Sequence, residues 1–250
     1  MIRIIDTTNM TKDTIVLLPG YDGDGDGTFT KLVRLLSVDF ECVVINYPYY
    51  RQIDHAYTLS ELIDYLHNLI KDKHLTKFHL LGFSMGGFVA TSYSLSFPQD
   101  ILSLTLASSS TKPILGNSHS FLLPLAYYLF KIPLLAKLFS LVYTSKILRP
   151  LTQVSPLPLP RDNFPSSEAY PVFGTLANVM HGSITTNRDD TVKDLICSKQ
   201  AILFKDDLSF PASTNATLLT NLGFRVIVKE HGGHATGTDY WKQVSIFMYR

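Results

Sequence analysis

Leu80-Leu81-Gly82-Phe83-Ser84-Met85-Gly86-Gly87 is an apolar run into a glycine, with a serine two positions later and another glycine two positions after that. Phe88-Val89-Ala90 follows and reads as the start of a helix. The pattern describes strand, sharp turn and helix, with Ser84 at the apex. The spacing has a steric reason. A serine on a strained strand-to-helix turn projects clear of the sheet only where its flanks carry no bulky side chains. Glycine at 82 and 86 removes them, and Gly87 and Ala90 let the helix lie close to its neighbours. A Gly-rich turn carrying an inert serine has the same local pattern, so the motif points to chemistry only in company. A nucleophilic serine needs a base, an acid that orients the base, and donors for an oxyanion.

Working outward, the chain has 250 residues, a formal net charge of +1 and only 17% charged residues. That length fits one domain with an inserted subdomain. The near-neutral balance gives no case for nucleic acid. Cys42 and Cys197 are too few for a disulfide framework and lack metal-ligand spacing. Cys42 lies in an apolar run and is expected as a buried small hydrophobe. Met1-Ile2-Arg3-Ile4-Ile5-Asp6 is broken by charge and has no secretory apolar region, so a cytoplasmic location is the default expectation.

Thr14-Ile15-Val16-Leu17-Leu18 is an apolar run ended by Pro19-Gly20, as suits a parallel strand buried on both faces. Tyr21-Asp22-Gly23-Asp24-Gly25-Asp26-Gly27 then forms a glycine-dense loop, and helical periodicity begins at Thr28. A loop after an early strand can aim a backbone N–H at an oxyanion, so Tyr21 is assigned as one donor and Met85 as the other. Asp22, Asp24 and Asp26 also match the opening of an EF-hand loop. The twelfth position, where a bidentate glutamate belongs, is Val33, and no helix precedes the loop. The acidic side chains are instead expected to face solvent or meet something polar at the pocket mouth.

Cys42 to Asn46 is a second strand. Thr58-Leu59-Ser60-Glu61 fits a capping box that opens a helix through Ile70, which feeds the strand before Ser84. Ser103 to Ala107, Ala201 to Phe204 and Arg225 to Val228 complete the strands, and a terminal helix carries Trp241, Val244 and Phe247. Strand alternating with helix argues for a parallel sheet covered on both faces, with ligands at the carboxyl ends of the strands. His55, His67, His74 and His79 have no partner at useful spacing.

The rhythm breaks between Pro113 and about Asp190. Phe121 to Tyr143 is apolar nearly all round, but Pro124, Lys131, Pro133 and Lys137 interrupt it. Spanning a membrane requires roughly 20 uninterrupted apolar residues. A pair of short helices capping the pocket is the favoured reading, and shallow contact with a membrane surface is the second. Ser155-Pro156-Leu157-Pro158-Leu159-Pro160 holds the chain extended, and Tyr170 to Met180 reads as a further cap segment. The expected division is a core of 1–112 and 190–250 with a cap of 113–189.

These residues resemble the serine α/β-hydrolases, with lidded esterase-like members nearest. The resemblance covers nearly the whole chain. It rests on Gly82-Phe83-Ser84-Met85-Gly86-Gly87, Pro19-Gly20-Tyr21-Asp22-Gly23, Asp207 four residues before Pro211, and Gly232-Gly233-His234. It implies an α/β-hydrolase fold, a mostly parallel central sheet with helices on both faces and an inserted helical cap. It implies Ser84 as nucleophile, His234 as general base and Asp207 as the orienting acid. Asp206 is the rival acid and His231 the rival base. In some members the acid follows the strand after the nucleophile helix, where this chain has Ser108-Ser109-Ser110 and no carboxylate. The family commonly has His-Gly before the oxyanion residue, where this chain has Pro19-Gly20. Its N-terminal antiparallel strands are abbreviated here.

The resemblance implies hydrolysis of a carboxylic ester with a hydrophobic acyl or alcohol part, without a metal or organic cofactor. A thioesterase or acyltransferase on the same triad is the alternative within enzymes. A hydrolase-fold binding protein without turnover is the alternative outside them.

Overall fold

The computed structural model describes residues 12–50, 55–113, 132, 134, 135, 138, 169–207, 209–235 and 239–248. The expected cap helices between Phe121 and Tyr143 lie almost wholly outside the described residues, and the proline run 155–160 lies entirely outside them.

Among the described residues, six strands form one sheet: β1 (Asp13–Leu18), β2 (Phe40–Val44), β3 (Phe78–Phe83), β4 (Ile101–Ala107), β5 (Ser198–Phe204) and β6 (Arg225–Lys229). Their order across the sheet is β2-β1-β3-β4-β5-β6, and every pairing is parallel. The register sets Leu18 beside Gly82 and Phe83 beside Ala107. The ends of β1, β3 and β4 therefore lie together. The chain runs from β1 outward to β2 and returns to β3 on the other side of β1. This reversal opens a crevice at the carboxyl ends of β1 and β3, where open α/β sheets bind ligands.

Alternation along the strands separates two cores. Ile15 and Leu17 of β1, with Leu81, Ile202 and Phe204, face α1 (Gly25–Leu36) and α7 (Tyr240–Met248). Val16 and Leu18, with Leu80, Ala201 and Leu203, face α2 (Leu59–Asp72), α3 (Met85–Ser96), α4 (Ala169–Thr186) and α6 (Ala212–Asn221). Both faces of β1 are apolar and buried from Ile15 to Leu18, as a sheet covered twice requires. Burial pushes the Cys42 thiol up to about 12, so it behaves as a small core hydrophobe.

The capping box that opens α2 is present: Glu61 N–H donates to Thr58 Oγ1 at 3.2 Å, and Thr58 N–H donates to Glu61 Oε2 at 2.7 Å. The acidic loop corrects two expectations. α1 begins at Gly25, not Thr28. Asp24 is buried instead of facing solvent, because its carboxylate caps α1 by accepting from Gly27 N–H at 2.9 Å. Asp26 accepts from the Asn46 side-chain amide at 2.9 Å. Among the described residues, no group of three or more His, Cys, Asp or Glu side chains converges as a metal set. Nor is any described helix long and apolar enough to cross a membrane.

α3 is buried through Ser94 although it carries five hydroxyls. Those of serine and threonine bond back to a carbonyl one turn earlier: Thr91 to Gly87, Ser92 to Phe88, Ser94 to Ala90 and Ser96 to Ser92. Tyr170–Met180, read as cap, lies in the longer α4, whose Val172, Phe173 and Val179 join the core over α2 and α3. Asn187 lies between α4 and α5 (Asp189–Lys193) and is fully buried. Its amide nitrogen donates to Thr111 O at 2.5 Å and Phe88 O at 3.1 Å, and its oxygen accepts from Ser92 Oγ at 2.6 Å. Thr111, which follows β4, and Asn187, which follows α4, are thus tied together. Asn187→Ala should destabilise the protein by about 2–3 kcal/mol, because it strands buried polar partners. Urea unfolding should show a lower midpoint with an unchanged slope.

Candidate active site

Ser84 stands between the last residue of β3 and the first of α3, at φ +54° and ψ −127°. A non-glycine residue holds such a conformation only where its surroundings impose it. Ser84 N–H donates to Ala107 O at 3.2 Å, while Ser84 O accepts from Gly87 N–H at 3.0 Å and from Ser109 Oγ at 2.5 Å. A Cβ on Gly82 would overlap the backbone of Gly86 and Gly87, and one on Gly86 would overlap the carbonyls of Leu18 and Pro19. The two glycines of the motif therefore let α3 sit directly on the ends of β3 and β1.

His234 comes from the loop after β6, and Asp207 from the loop after β5. Ser84, Asp207 and His234 are all buried. His234 Nε2 lies 2.9 Å from Ser84 Oγ, and Nδ1 lies 3.0 Å from Asp207 Oδ2. A carboxylate only accepts, so Nδ1 carries the ring proton and Nε2 is left as acceptor for the serine hydroxyl. The other Asp207 oxygen accepts from Ser209 N–H at 2.9 Å and Phe210 N–H at 3.1 Å. Phe210 stacks on the His234 ring, centroids 5.6 Å apart, and Phe83 packs against it at 5.1 Å. The imidazole has almost no freedom to rotate.

The rivals separate by direction. Asp206 turns to the backbone before His234 and accepts from Gly232 N–H and Gly233 N–H. Desolvation pushes its carboxyl up, but the donations from Gly233 and Gly232 outweigh it and hold the group below the usual carboxylate range. The His231 side chain is 89% exposed, against 4% for His234, and lies 3.7 Å from Asp206. The Ser84 hydroxyl meets His234, not His231.

Met85 is the first residue of α3, so its N–H has no intrahelical partner and points out of the helix start. Tyr21 follows the end of β1. A Cβ on Gly20 would sit 3.4 Å from Ser84 Cβ, so this turn lies against the serine. The Tyr49 hydroxyl donates to Tyr21 O at 2.8 Å, and Phe173 of α4 stacks on the Tyr21 ring.

The sequence profile of the alpha/beta hydrolase fold family matches residues 13–146, more than half of the chain. The chain belongs to the alpha/beta hydrolase fold family. This family member is 30% identical over 101 residues to monoacylglycerol lipase abhd6-A of Xenopus laevis, covering 38% of this chain and 30% of the relative. It is 28% identical over 107 residues to 2-hydroxy-6-oxononadienedioate/2-hydroxy-6-oxononatrienedioate hydrolase 1 of Pseudomonas putida, covering 40% and 38%. The α/β-hydrolase chain thus spans about a third of the length of these curated relatives. Its fold is similar to that of the esterase EaEST from Exiguobacterium antarcticum, with a TM-score of 0.66, 19% identity and coverage of 99% and 93%.

Sequence reasoning missed Ser109 as the brace on Ser84 O, Phe210 as the plate on His234, and Asn187. The serine run after β4 was noticed only for lacking a carboxylate. Asn187 carries no local signal, since its partners Phe88 and Thr111 lie 99 and 76 residues away.

Proposed function

We propose that this protein is a serine hydrolase acting on carboxylic esters, or closely related acyl compounds, with a hydrophobic acyl or alcohol part. The observation that carries the reading is the continuous hydrogen-bonded chain Asp207–His234–Ser84, buried at the carboxyl ends of the strands. In this reading Ser84 Oγ attacks the carbonyl carbon while its proton passes to His234 Nε2. The tetrahedral oxyanion is held by the N–H groups of Met85 and Tyr21. The C–O bond to the leaving alcohol then breaks, and His234 returns the proton to that oxygen. Water attacks the acyl-enzyme, again giving its proton to His234, and the acid leaves Ser84 restored. Asp207 holds the imidazole in one tautomer and stabilises its positive charge throughout.

The hydrophobic preference is supported by the apolar groups around the triad: Phe83, Phe210, Met85 and, against Tyr21, Phe173. The name of one relative, a monoacylglycerol lipase, fits acyl chemistry of this kind. A thioester presents the same carbonyl to the same serine, so thioesters belong in the test.

Three outcomes are expected. A fluorophosphonate should label the wild type, while Ser84→Ala should stay folded, fail to label and lose hydrolysis; near wild-type turnover in that variant would end the reading. Asp207→Asn should lower kcat by about 10⁴ through the wrong tautomer, measured by steady-state kinetics on a chromogenic ester. Across an ester and thioester panel of graded acyl length, kcat/KM should rise severalfold per added methylene, since each buried CH₂ contributes about 0.8 kcal/mol. A flat profile would remove the hydrophobic pocket from the proposal.

A further inference from the structure

Asp206 and Asp207 are adjacent in sequence but point at different parts of one structure. Asp207 meets the ring of His234. Asp206 meets the backbone that carries that ring. Its Oδ1 accepts from Gly233 N–H at 2.8 Å and from Gly232 N–H at 3.1 Å, and its Oδ2 lies 3.2 Å from Gly232 N. These are the two residues leading into His234.

That backbone needs an outside hold. Gly233 has φ +54° and Ala235 has φ +61°, so the chain is left-handed on both sides of His234. Alanine does not keep that conformation on local preference alone. Asp206, by contrast, sits where the end of the sheet fixes it. Lys205 N–H donates to Lys229 O at 2.9 Å, and Asp207 N–H donates to Phe204 O at 3.2 Å. The backbone that carries the carboxylate is thus fixed, and although the Asp206 side chain is 43% exposed, its bonds to N–H are charge-assisted. The other charged or titratable side chains beside it are His231 at 3.7 Å and the Lys205–Glu230 ion pair on the same two loops.

We infer that Asp206 is a positioning residue for His234: by gripping the N–H groups of Gly232 and Gly233 it fixes the backbone that presents the imidazole to Ser84 and Asp207. Its effect on turnover rests on the serine-hydrolase reading above; its grip on the loop does not. One dipeptide would then set both the orientation of the base, through Asp207, and the place from which the base is offered, through Asp206.

The test uses the full chain with Asp206→Ala and Asp206→Asn. Active sites are counted by fluorophosphonate titration, kcat and KM are measured per titrated site, and amide hydrogen exchange is followed at Gly232, Gly233 and along β6. In Asp206→Ala, kcat per site should fall about 10- to 100-fold, the penalty of a small misplacement of a reacting group, with KM unchanged. Exchange at Gly232 and Gly233 should accelerate while β6 stays protected. Asp206→Asn should recover part of the loss, because its amide oxygen still accepts. Unchanged kcat per site in folded Asp206→Ala would overturn the inference, as would a loss matched by faster exchange throughout β6, which is general destabilisation. If the wild type neither labels nor hydrolyses any ester, the hydrolase reading falls. Exchange at Gly232 and Gly233 then decides the grip on its own, and unaltered protection in Asp206→Ala would overturn it.

Discussion

The backbone of Ser84, held at φ +54°, is the constraint on which the rest of the site depends. A residue so placed costs of order 1–3 kcal/mol and persists only when its neighbours over-determine it. Here they do. Ala107 takes its N–H, Gly87 and Ser109 bond its carbonyl, and α3 lies so close to β1 and β3 that positions 82 and 86 admit no side chain. The strain has a direct consequence. It swings the hydroxyl out of the sheet and toward the strand ends, where the loops after β5 and β6 deliver their carboxylate and imidazole.

Those two loops solve a placement problem by dividing it. A buried histidine must have both ring nitrogens partnered, and its backbone must also be held in an unfavourable region. Asp207 meets the first need and Asp206 the second, and they can do so because successive residues in a turn point in different directions. Phe210 and Phe83 close the remaining rotation of the ring by packing. Excluding water from around these groups strengthens every polar contact among them, which is what the proposed proton transfers require.

The region around α3 shows the same economy of polar groups. α3 buries Thr91, Ser92 and Ser94 by bonding each hydroxyl to the preceding turn, and Asn187 joins α3 to Thr111, beyond the end of β4, through its one side chain. The Lys112–Asp189 ion pair, at 2.8 Å, adds a partly exposed tie beside it, worth little by itself. Phe173 of α4 stacks on Tyr21. The same helix packs on α2 and α3, with Val172, Phe173 and Val179 in the core cluster.

All six strands, the capping box of α2 and the turn at Ser84 were legible in the sequence because each is written locally: apolar runs ended by Pro or Gly, a Thr three residues before a Glu, glycines flanking a serine. Ser84 was nameable from its own turn, whereas Asp207 and His234 were nameable only through the resemblance to the serine α/β-hydrolases. What the sequence left open was direction. Asp206 and Asp207 are chemically identical and adjacent, and only the fold of the turn after β5 sends one to a ring and the other to a backbone. His231 and His234 differ only in which side of a Gly-Gly loop faces the interior. Asp24 looked like a solvent-facing acid until Gly25 proved to start a helix in need of a cap. Asn187 and Ser109 were invisible because their partners are distant in the chain. The sequence by itself determined which elements form and which residue types reach the carboxyl ends of the strands. The tertiary structure alone decided which of those side chains meet, because that depends on backbone directions and long-range packing that no local pattern encodes.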